Sequence, residues 1–280
     1  MKLIIQGSRA EWHAVHRIAN IAQSHTVKQI SEQVFRCDGV LSDENTRDAV
    51  RGASLGAGVD SAFLPADLRL EHFRVLVMDM DSTLITIECI DEIADMQGLK
   101  SEVAGITEAA MRGELDFRDS LLQRVALLKG LDVSALDKVF EQRLTLSRGA
   151  KGLLDATKAA GLRTVLVSGG FTYFTERLQQ SLPLDLTRAN LLEVSNGKLT
   201  GRVTGEIIDA HAKRSTVEQA CAALGVSTAA AIVIGDGAND LEMMAVAGLS
   251  VAYRAKPVVQ QKASVALNFS GLDGLLNLFD

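Results

Sequence analysis

Three short apolar segments, each followed directly by a polar loop, constrain the fold of this chain more than any other feature. They span residues 74–78, 163–167 and 230–234, and stretches with helical spacing separate them. Uninterrupted apolar strands are typical of a parallel sheet that helices cover on both faces. The pattern therefore predicts an α/β fold with a doubly wound parallel sheet. Because such sheets bind ligands at the carboxyl ends of their strands, the three polar loops mark the expected site.

The remaining stretches predict two domains and an insertion. Residues 1–70 have the pattern of a small α+β domain, and residues 71–280 contain the parallel sheet. Within the larger domain, the helical pattern of residues 90–145 predicts a cap of about residues 88–150, inserted after the first strand. The elements expected in the small domain are strands at 3–6, 27–35 and 59–64 and helices at 11–22 and 43–53.

Glycines divide several of these segments. Gly52, Gly56 and Gly58 interrupt the helical pattern that precedes the strand at 59–64. Asn196 and Gly197, between two apolar stretches, predict a hairpin beside the parallel sheet. The last strand of the chain is expected at 249–252.

Composition and charge exclude several classes of protein. The chain has 280 residues, and Lys+Arg 29 minus Asp+Glu 35 gives a net charge of −6. A nucleic-acid or anionic-membrane surface would favour a basic face, and aromatic residues, at 4%, are few for base-stacking platforms. Three widely spaced cysteines fit a reducing compartment, and no apolar run has the length of a membrane span or the features of a signal peptide. We expect a cytoplasmic protein that binds neither nucleic acid nor membrane.

Two aspartates at the end of the first apolar strand are the strongest candidates for a catalytic site. Asp79 and Asp81 lie in the run Asp-Met-Asp-Ser-Thr. Two carboxylates on a tight loop can converge on one cation, and Mg²⁺ prefers such oxygen ligands beside a phosphate. A carboxylate can also act as a nucleophile and form an aspartyl-phosphate, while a second one serves as general acid and base. Taken alone, the run fits a solvated, capped turn equally well.

The polar loops after the other two strands have the composition of a phosphate site. Residues 168–170, Ser-Gly-Gly, offer a hydroxyl and backbone amides to a phosphate, although most such tripeptides are flexible turns. Asp236 and Asp240 follow the third strand and either aim two carboxylates at the same edge or form only a turn and a helix cap. Lys213, between these loops, has by itself the character of a surface lysine.

The order of these four elements resembles the haloacid dehalogenase superfamily of phosphotransferases. Its motifs are DxDx(T/V), a Ser or Thr, a Lys and GDxxxD, and here they match 79–83, Ser168, Lys213 and 235–240. The resemblance covers residues 73 to 280 and implies in-line phosphoryl transfer with Mg²⁺. The implied roles are Asp79 as nucleophile, Asp81 as general acid and base, Asp79, Asp81 (through its backbone carbonyl) and Asp236 as metal ligands, Ser168 and Lys213 as binding groups for the phosphoryl oxygens, and Asp240 as the residue that orients Lys213 or a metal-bound water.

A narrower resemblance is to the phosphoserine phosphatase family. It rests on residues 79–85, 88–94, 111–117, 120–130 and 167–171. In that family cap helices close over the substrate, where an arginine can grip a carboxylate with two hydrogen bonds. The implied substrate contacts are Glu88 with the ammonium group, Arg124 with the carboxylate, Met111 and Phe117 as apolar lid residues, Asn239 on the phosphate side, and Ser168, Gly169, Gly170 and Lys213 around the phosphate. Without the resemblance, the two charged residues fit a helix surface and the two apolar ones a hydrophobic core.

The resemblance implies hydrolysis of O-phospho-L-serine to L-serine and phosphate through an aspartyl-phosphate, the last step of serine biosynthesis. Two alternatives stay open: a phosphotransferase that passes the phosphoryl group to an amino alcohol, and a catalytically silent amino-acid sensor. The pair Asp79 and Asp81 argues against the sensor, since a binding protein needs neither a nucleophile nor an acid. The small N-terminal domain looks somewhat like the ACT-type domains that sense ligands, which implies a regulatory role or a homodimer contact, or it serves as plain scaffold.

Overall fold

The chain folds around two β-sheets. The computed structural model describes residues 1–111 and 114–279, but not the side chain of Met111. None of the helices in these described ranges is long and apolar enough to cross a membrane. The strands are β1 (Lys2–Gln6), β2 (Thr26–Ser31), β3 (Val34–Asp38), β4 (Asp60–Leu64), β5 (Val75–Met78), β6 (Arg163–Phe171), β7 (Leu186–Ser195), β8 (Lys198–Thr204), β9 (Ala231–Gly235), β10 (Leu249–Tyr253) and β11 (Val265–Leu267). The helices are α1 (Trp12–Ile21), α2 (Glu44–Ala57), α3 (Cys89–Asp95), α4 (Lys100–Met111), α5 (Phe117–Leu127), α6 (Ser134–Gln142), α7 (Ala150–Ala159), α8 (Thr172–Ser181), α9 (Ala210–Ala222), α10 (Leu241–Val246) and α11 (Pro257–Lys262).

Seven strands form the larger sheet, in the order β11-β10-β9-β5-β6-β7-β8. Neighbouring strands are parallel except β7 and β8, which form an antiparallel hairpin. In the centre, Val77 of β5 lies opposite Val165 of β6 and Val233 of β9. The predicted parallel sheet and the predicted hairpin around Asn196 and Gly197 are both confirmed.

Alternate side chains of the central strands pack into two separate hydrophobic cores. Leu76 and Met78 of β5 belong to one core, and Val75 and Val77 belong to the other. Helices α7 and α8 cover the first face of the sheet, and α9, α10 and α11 cover the second. Burial of one such side chain contributes roughly 1.5–3 kcal/mol, so packing on both faces holds the ends of the strands in place.

The N-terminal residues form a four-stranded antiparallel sheet in the order β2-β3-β1-β4, with α1 and α2 packed against one face. The prediction of a single strand at 27–35 is wrong. The chain reverses at Glu32 and Gln33, and β2 and β3 pair with each other. This turn contains neither glycine nor proline, so its position leaves little signal in the sequence.

Helix α2 runs past two of the three glycines that are expected to interrupt it. Gly52 and Gly56 lie inside the helix, and only Gly58 ends it, with a φ of 71°. A glycine inside a helix costs about 1 kcal/mol relative to alanine. Burial of Val50 on the side that packs against the sheet helps to offset that cost.

The larger sheet extends beyond the limits that the sequence predicts. Strand β6 continues through residues 168–170 to Phe171 instead of ending at Val167, and its register with β7 shifts over this stretch. Strand β11 follows the strand that is expected to be the last and pairs with β10. It has only 3 residues, too few for a periodic pattern to be visible.

Of the five helices between β5 and β6, α3 to α6 form a helical insertion, whereas α7 packs on the sheet. The chain enters and leaves this helical insertion through adjacent segments, where the amide of Thr86 donates to the carbonyl of Thr145 at 3.0 Å. On its other side the insertion contacts the β7-β8 hairpin, where the amide of Gly130 donates to the carbonyl of Leu199 at 2.8 Å. The domain and cap limits given by the sequence stay predictions.

A carboxylate in β4 ties the two sheets together. Asp60 is 3% exposed, and its oxygens accept hydrogen bonds from the amides of Asn268, Phe269 and Ser270 at 2.7 to 3.2 Å. These residues follow β11 of the larger sheet. The bonds therefore anchor the segment after β11 to the N-terminal sheet.

We expect Asp60→Ala to lower the free energy of unfolding by about 2–3 kcal/mol, because three backbone donors lose their charged acceptor at once. Urea unfolding at pH 7 measures the change. Asp67→Ala, at an exposed position, is the matched control and should leave the free energy of unfolding unchanged within ~0.5 kcal/mol. Equal values for the two variants would contradict the anchoring role of Asp60.

Candidate active site

The polar residues that follow β5, β6 and β9 meet at one edge of the larger sheet. β5 lies between β6 and β9 in the sheet, and the three strands run in the same direction. Their carboxyl ends are therefore neighbours, as the sequence predicts. The site can be built up from the side chains at these three ends.

Asp79 is held in one orientation by contacts to both of its carboxylate oxygens. Oδ1 accepts a hydrogen bond from the amide of Met80 at 2.7 Å, and Oδ2 lies 2.8 Å from Nζ of Lys213. Burial raises the pKa of Asp79 well above its ordinary value, and the positive charge of Lys213 opposes that rise. Only a small part of the Asp79 side chain reaches the cleft.

Lys213 is a buried cation between two carboxylates. Its side chain is 0% exposed, and Nζ lies 2.8 Å from Asp79 and 2.7 Å from Asp240. Burial alone would lower the pKa of Lys213, but the charges of Asp240 and Asp79 outweigh burial and hold the pKa above its ordinary value. The lysine that has no distinguishing feature in the sequence is thus a fixed positive charge beside Asp79.

Asp240 orders the loop that follows β9. While Oδ1 faces Lys213, Oδ2 accepts hydrogen bonds from the amides of Asp236 and Gly237 at 3.1 and 3.0 Å. A side chain added at Gly235 would meet the Asp240 carboxylate at 2.3 Å, so glycine is required at the point where the strand passes this group.

Asp236 faces Asp79 across the site. Its Oδ1 accepts a hydrogen bond from Oγ1 of Thr83 at 2.9 Å. Burial and the nearby charge of Asp240 raise the pKa of Asp236 to about 6. One carboxylate oxygen each from Asp79, Asp236 and Asp240 lie within 4.8 Å of one another. A hard divalent cation fits this set of oxygens and would offset the concentrated negative charge.

Asp81 and Ser168 form a second pair beside Asp79. Oδ1 of Asp81 accepts from the amide of Cys89 at 2.9 Å, and Oδ2 accepts from Oγ of Ser168 at 3.2 Å. Burial raises the pKa of Asp81, and the hydrogen bonds from Cys89 and Ser168 lower it in part. The Asp81 carboxyl group therefore holds a proton to higher pH than an exposed aspartate does.

Two glycines allow close approach in the extended end of β6. A Cβ atom at Gly170 would lie 2.5 Å from Oδ2 of Asp81, and one at Gly169 would lie 2.9 Å from the ring of Phe117. The amide of Gly170 donates to Oγ of Ser168 at 2.8 Å. A side chain at either position would meet Asp81 or Phe117, so glycine lets these groups approach the main chain closely.

Asn190 and Thr83 are parts of this arrangement to which the sequence analysis assigns no role. Asn190 is 0% exposed, donates from Nδ2 to the carbonyl of Gly169 at 2.7 Å, and accepts from the amide of Ile208 at 2.9 Å. It therefore positions the glycine stretch from the neighbouring strand. Thr83 is visible in the sequence only as a member of the motif, and Asn190, in a strand of mixed polarity, has no distinguishing signal there.

Glu88 and Arg124 bring charges from the insertion to the same cleft. The pKa of Glu88 is raised to about 7 by the protein atoms around its carboxyl group and by the nearby charge of Asp81. Part of the Glu88 residue is nevertheless exposed to solvent. Burial lowers the pKa of Arg124, and the charges of Asp91, Glu88 and Asp81 oppose that shift. Ser82, with a φ of 55° that is uncommon outside glycine, donates to Glu88 at 2.6 Å.

The other predicted contact residues have mixed outcomes. Phe117 begins α5, packs against the first core and approaches Gly169. Asn239 is partly exposed in the turn after Asp236. Met111 ends α4, and its side chain lies outside the described residues. The structure thus gathers the predicted residues from the three strand ends, and the roles assigned to the individual side chains stay predictions.

The chain matches a known family over most of the larger sheet. The family model of the haloacid dehalogenase-like hydrolases matches residues 73–248. The chain belongs to this family. The matched range contains all three strand ends that form the site.

Particular relatives are phosphoserine phosphatases by name. One from Polaromonas sp. is 56% identical over 217 residues, which cover 76% of this chain and 92% of the relative. A solved structure of a HAD family hydrolase from Salmonella enterica has a TM-score of 0.90 and 31% identity, covering 100% of this chain and 99% of that one. A probable phosphoserine phosphatase from Vibrio cholerae, solved unliganded, has a TM-score of 0.83 and 36% identity, with 99% and 85% coverage.

The raised pKa of Asp236 makes stability depend on pH. Below the ordinary aspartate pKa of 3.8 both the folded and the unfolded chain hold the proton, whereas between 3.8 and about 6 only the folded chain keeps it. The Asp236 contribution to the free energy of unfolding therefore falls as pH rises through this window. In EDTA, we expect the free energy of unfolding to fall by about 2 kcal/mol between pH 4 and pH 7. Urea unfolding measures this change, and the Asp236→Asn variant should not show it.

A divalent cation should reverse this loss at pH 7, because it binds the ionised carboxylates of the folded chain. The comparison of the unchanged chain with Asp236→Asn cancels the titration of residues that lie away from this cluster. Parallel pH profiles for the two proteins would show that Asp236 does not carry the effect.

Proposed function

We propose that the chain is a phosphoserine phosphatase, which hydrolyses O-phospho-L-serine to L-serine and phosphate. A relative of that name is 56% identical over 76% of the chain. The proposal depends on two oppositely charged residues of the insertion, Glu88 and Arg124. Both lie near enough to Asp81 for its charge to affect their pKa. A phosphorylated amino acid has three charged groups that match this arrangement. They are an ammonium group for Glu88, a carboxylate for Arg124 and a phosphate for the residues at the strand ends.

In the proposed first step, a carboxylate oxygen of Asp79 attacks the phosphorus atom. The bond between phosphorus and the serine oxygen breaks, and the proton of Asp81 passes to that oxygen, which releases L-serine. In the second step Asp81 accepts a proton from water, the water oxygen attacks phosphorus, and the bond to Asp79 breaks to release phosphate. The raised pKa of Asp81, caused mainly by burial, supports its role as the acid.

The phosphoryl oxygens are proposed to bind Ser168, Lys213 and the amides of Gly169 and Gly170. The hydroxyl of Ser168 lies beside the Gly170 amide, and Lys213 lies beside Asp79. These groups are in place before the reaction, so they stabilise the charge of the transferring group with little rearrangement. Asn239, in the turn after β9, is assigned to the phosphate side.

We assign the metal to Mg²⁺. Asp79, Asp236 and the backbone carbonyl of Asp81 would hold it, and it would supply positive charge opposite the phosphate. Asp240 is proposed to lie outside the direct ligands and to orient Lys213 through Oδ1, while its Oδ2 holds two backbone amides of the loop.

Recognition of the amino-acid part is assigned to Glu88, which would face the ammonium group, and to Arg124, which would bind the carboxylate through two parallel hydrogen bonds. In the structure the Nε of Arg124 donates to the carbonyl of Ser120 at 3.3 Å, a long bond that leaves the two terminal nitrogens for a ligand. Phe117 and Met111 are assigned to the apolar lid.

Asp79→Asn tests the nucleophile. We expect hydrolysis of O-phospho-L-serine with Mg²⁺ to fall on the order of 10⁴-fold or more, because the amide oxygen is a poor nucleophile. Phosphate release measures the rate, and circular dichroism verifies that the variant is folded. Asp67→Asn is the control and should retain full activity. Release of phosphate by Asp79→Asn at the unchanged rate would remove Asp79 from this role.

Arg124→Ala tests the carboxylate contact. We expect kcat/KM for O-phospho-L-serine to fall about 100-fold, because a charged pair of hydrogen bonds is lost. For O-phosphoethanolamine, which lacks the carboxylate, the loss should be less than about threefold. Arg118→Ala, an exposed arginine on the same helix, is the matched control for both substrates. Equal losses on the two substrates would assign Arg124 to structure instead of recognition.

Two further expectations stay predictions. They are the cytoplasmic location and the role of the N-terminal domain, which is a regulatory part, a homodimer contact or a scaffold.

A further inference from the structure

A cleft lies between the N-terminal sheet and the larger sheet. Helix α2 and strand β4 line one side, and α11 and β11 line the other. Its volume is about 290 Å³, the size of a pocket for a small metabolite. Among the described residues that line it, none belongs to the cluster around Asp79.

One wall of the cleft contains a buried hydroxyl group that has no partner. Ser54 lies on the buried side of α2, is 3% exposed, and lines the cleft. Within the described part of the chain, its Oγ has no hydrogen-bond partner. Buried polar atoms are nearly always hydrogen-bonded, and an unpaired hydroxyl destabilises the fold. The unpaired hydroxyl of Ser54 therefore indicates a ligand that forms the missing hydrogen bond.

The charge of the cleft is positive. Arg51 contacts only the exposed Asp48, at 3.3 Å, among the ion pairs found in the described residues, and a pair so exposed is weak. The guanidinium group of Arg47 lies 4.9 Å from the ring centre of Phe63. The one acidic residue on the described lining is Asp60, whose oxygens are already bound by three backbone amides.

The rest of the lining is mixed. Its apolar members include Leu55, Phe63 and Val265, and its polar members are Ser61, Gln260, Gln261, Ser264 and Asn268. A ligand that suits this lining needs an oxygen-rich anionic end for Ser54 and the arginines, and a short body that fits beside Leu55, Phe63 and Val265.

We propose that this cleft is a second binding site, which takes a small organic anion with a carboxylate or phosphate group on a short apolar body. Ser54 donates its hydroxyl proton to an oxygen of the anion, and Arg51 and Arg47 supply the positive charge. Because the ligand touches both sheets, its binding strengthens their contact and stabilises the folded chain.

The binding test uses isothermal titration calorimetry on the full chain in EDTA, so that the proposed metal-dependent hydrolysis does not consume the phosphate probe. The probes are butyrate for a carboxylate, n-butyl phosphate for a phosphate, and n-butylamine as the cationic control. We expect one or both anions to bind and the amine to give no heat. Arg51→Ala and Ser54→Ala should each weaken the anion about tenfold, and Arg17→Ala, an exposed arginine on α1, should leave the affinity unchanged. Binding that is absent, or equal in all four proteins, overturns the proposal.

A stability readout separates a ligand-binding serine from a structural one. In the absence of anion, Ser54→Ala should unfold at the same temperature as the unchanged chain or at a higher one, because it removes an unpaired buried hydroxyl. With butyrate or butyl phosphate added, the unchanged chain should gain more thermal stability than the variant. A Ser54→Ala chain that unfolds at a lower temperature without anion would show that the hydroxyl is structural and would overturn its assignment to a ligand.

Discussion

The site depends on one buried ion cluster, in which Lys213 lies between Asp79 and Asp240. Burial makes each charge in it costly on its own, and removing one partner from a buried pair typically costs about 3–5 kcal/mol. The lysine therefore joins the end of β5 to the loop after β9 in a single arrangement. Through Asp240 the same lysine orders the amides of that loop, so the geometry around Asp79 depends on a side chain from α9.

The surplus of acid at this edge explains the pKa values of the aspartates. Burial and mutual repulsion raise the pKa of Asp79 and of Asp236. The single positive charge of Lys213 does not neutralise all the aspartates of the cluster. A site with unbalanced negative charge favours a cation in the folded state. Asp81 is different, because its carboxylate accepts hydrogen bonds from Ser168 and from the amide of Cys89.

The parallel sheet and the four motif elements could be predicted from the sequence, because each element is local. An apolar strand followed by Asp79, or by Ser168, is visible in a few consecutive residues. What escaped prediction depends on contacts between distant segments. The turn at 32–33 has no characteristic residues, α2 continues through its glycines because packing decides, and Asn190 is recognisable as a positioning residue only once its bond to Gly169 is seen.

The paired segments at Thr86 and Thr145 bring the two ends of the helical insertion together at the sheet. An insertion that begins and ends at one place can change its outer surface while the strands keep their order. The aspartates of the strand ends and the charged residues of the insertion, Glu88 and Arg124, then lie on separately variable pieces of chain. Evolution can therefore change the insertion, and with it the alcohol that is released, while the aspartates stay in the same positions. The same edge of the sheet can then act on a series of substrates.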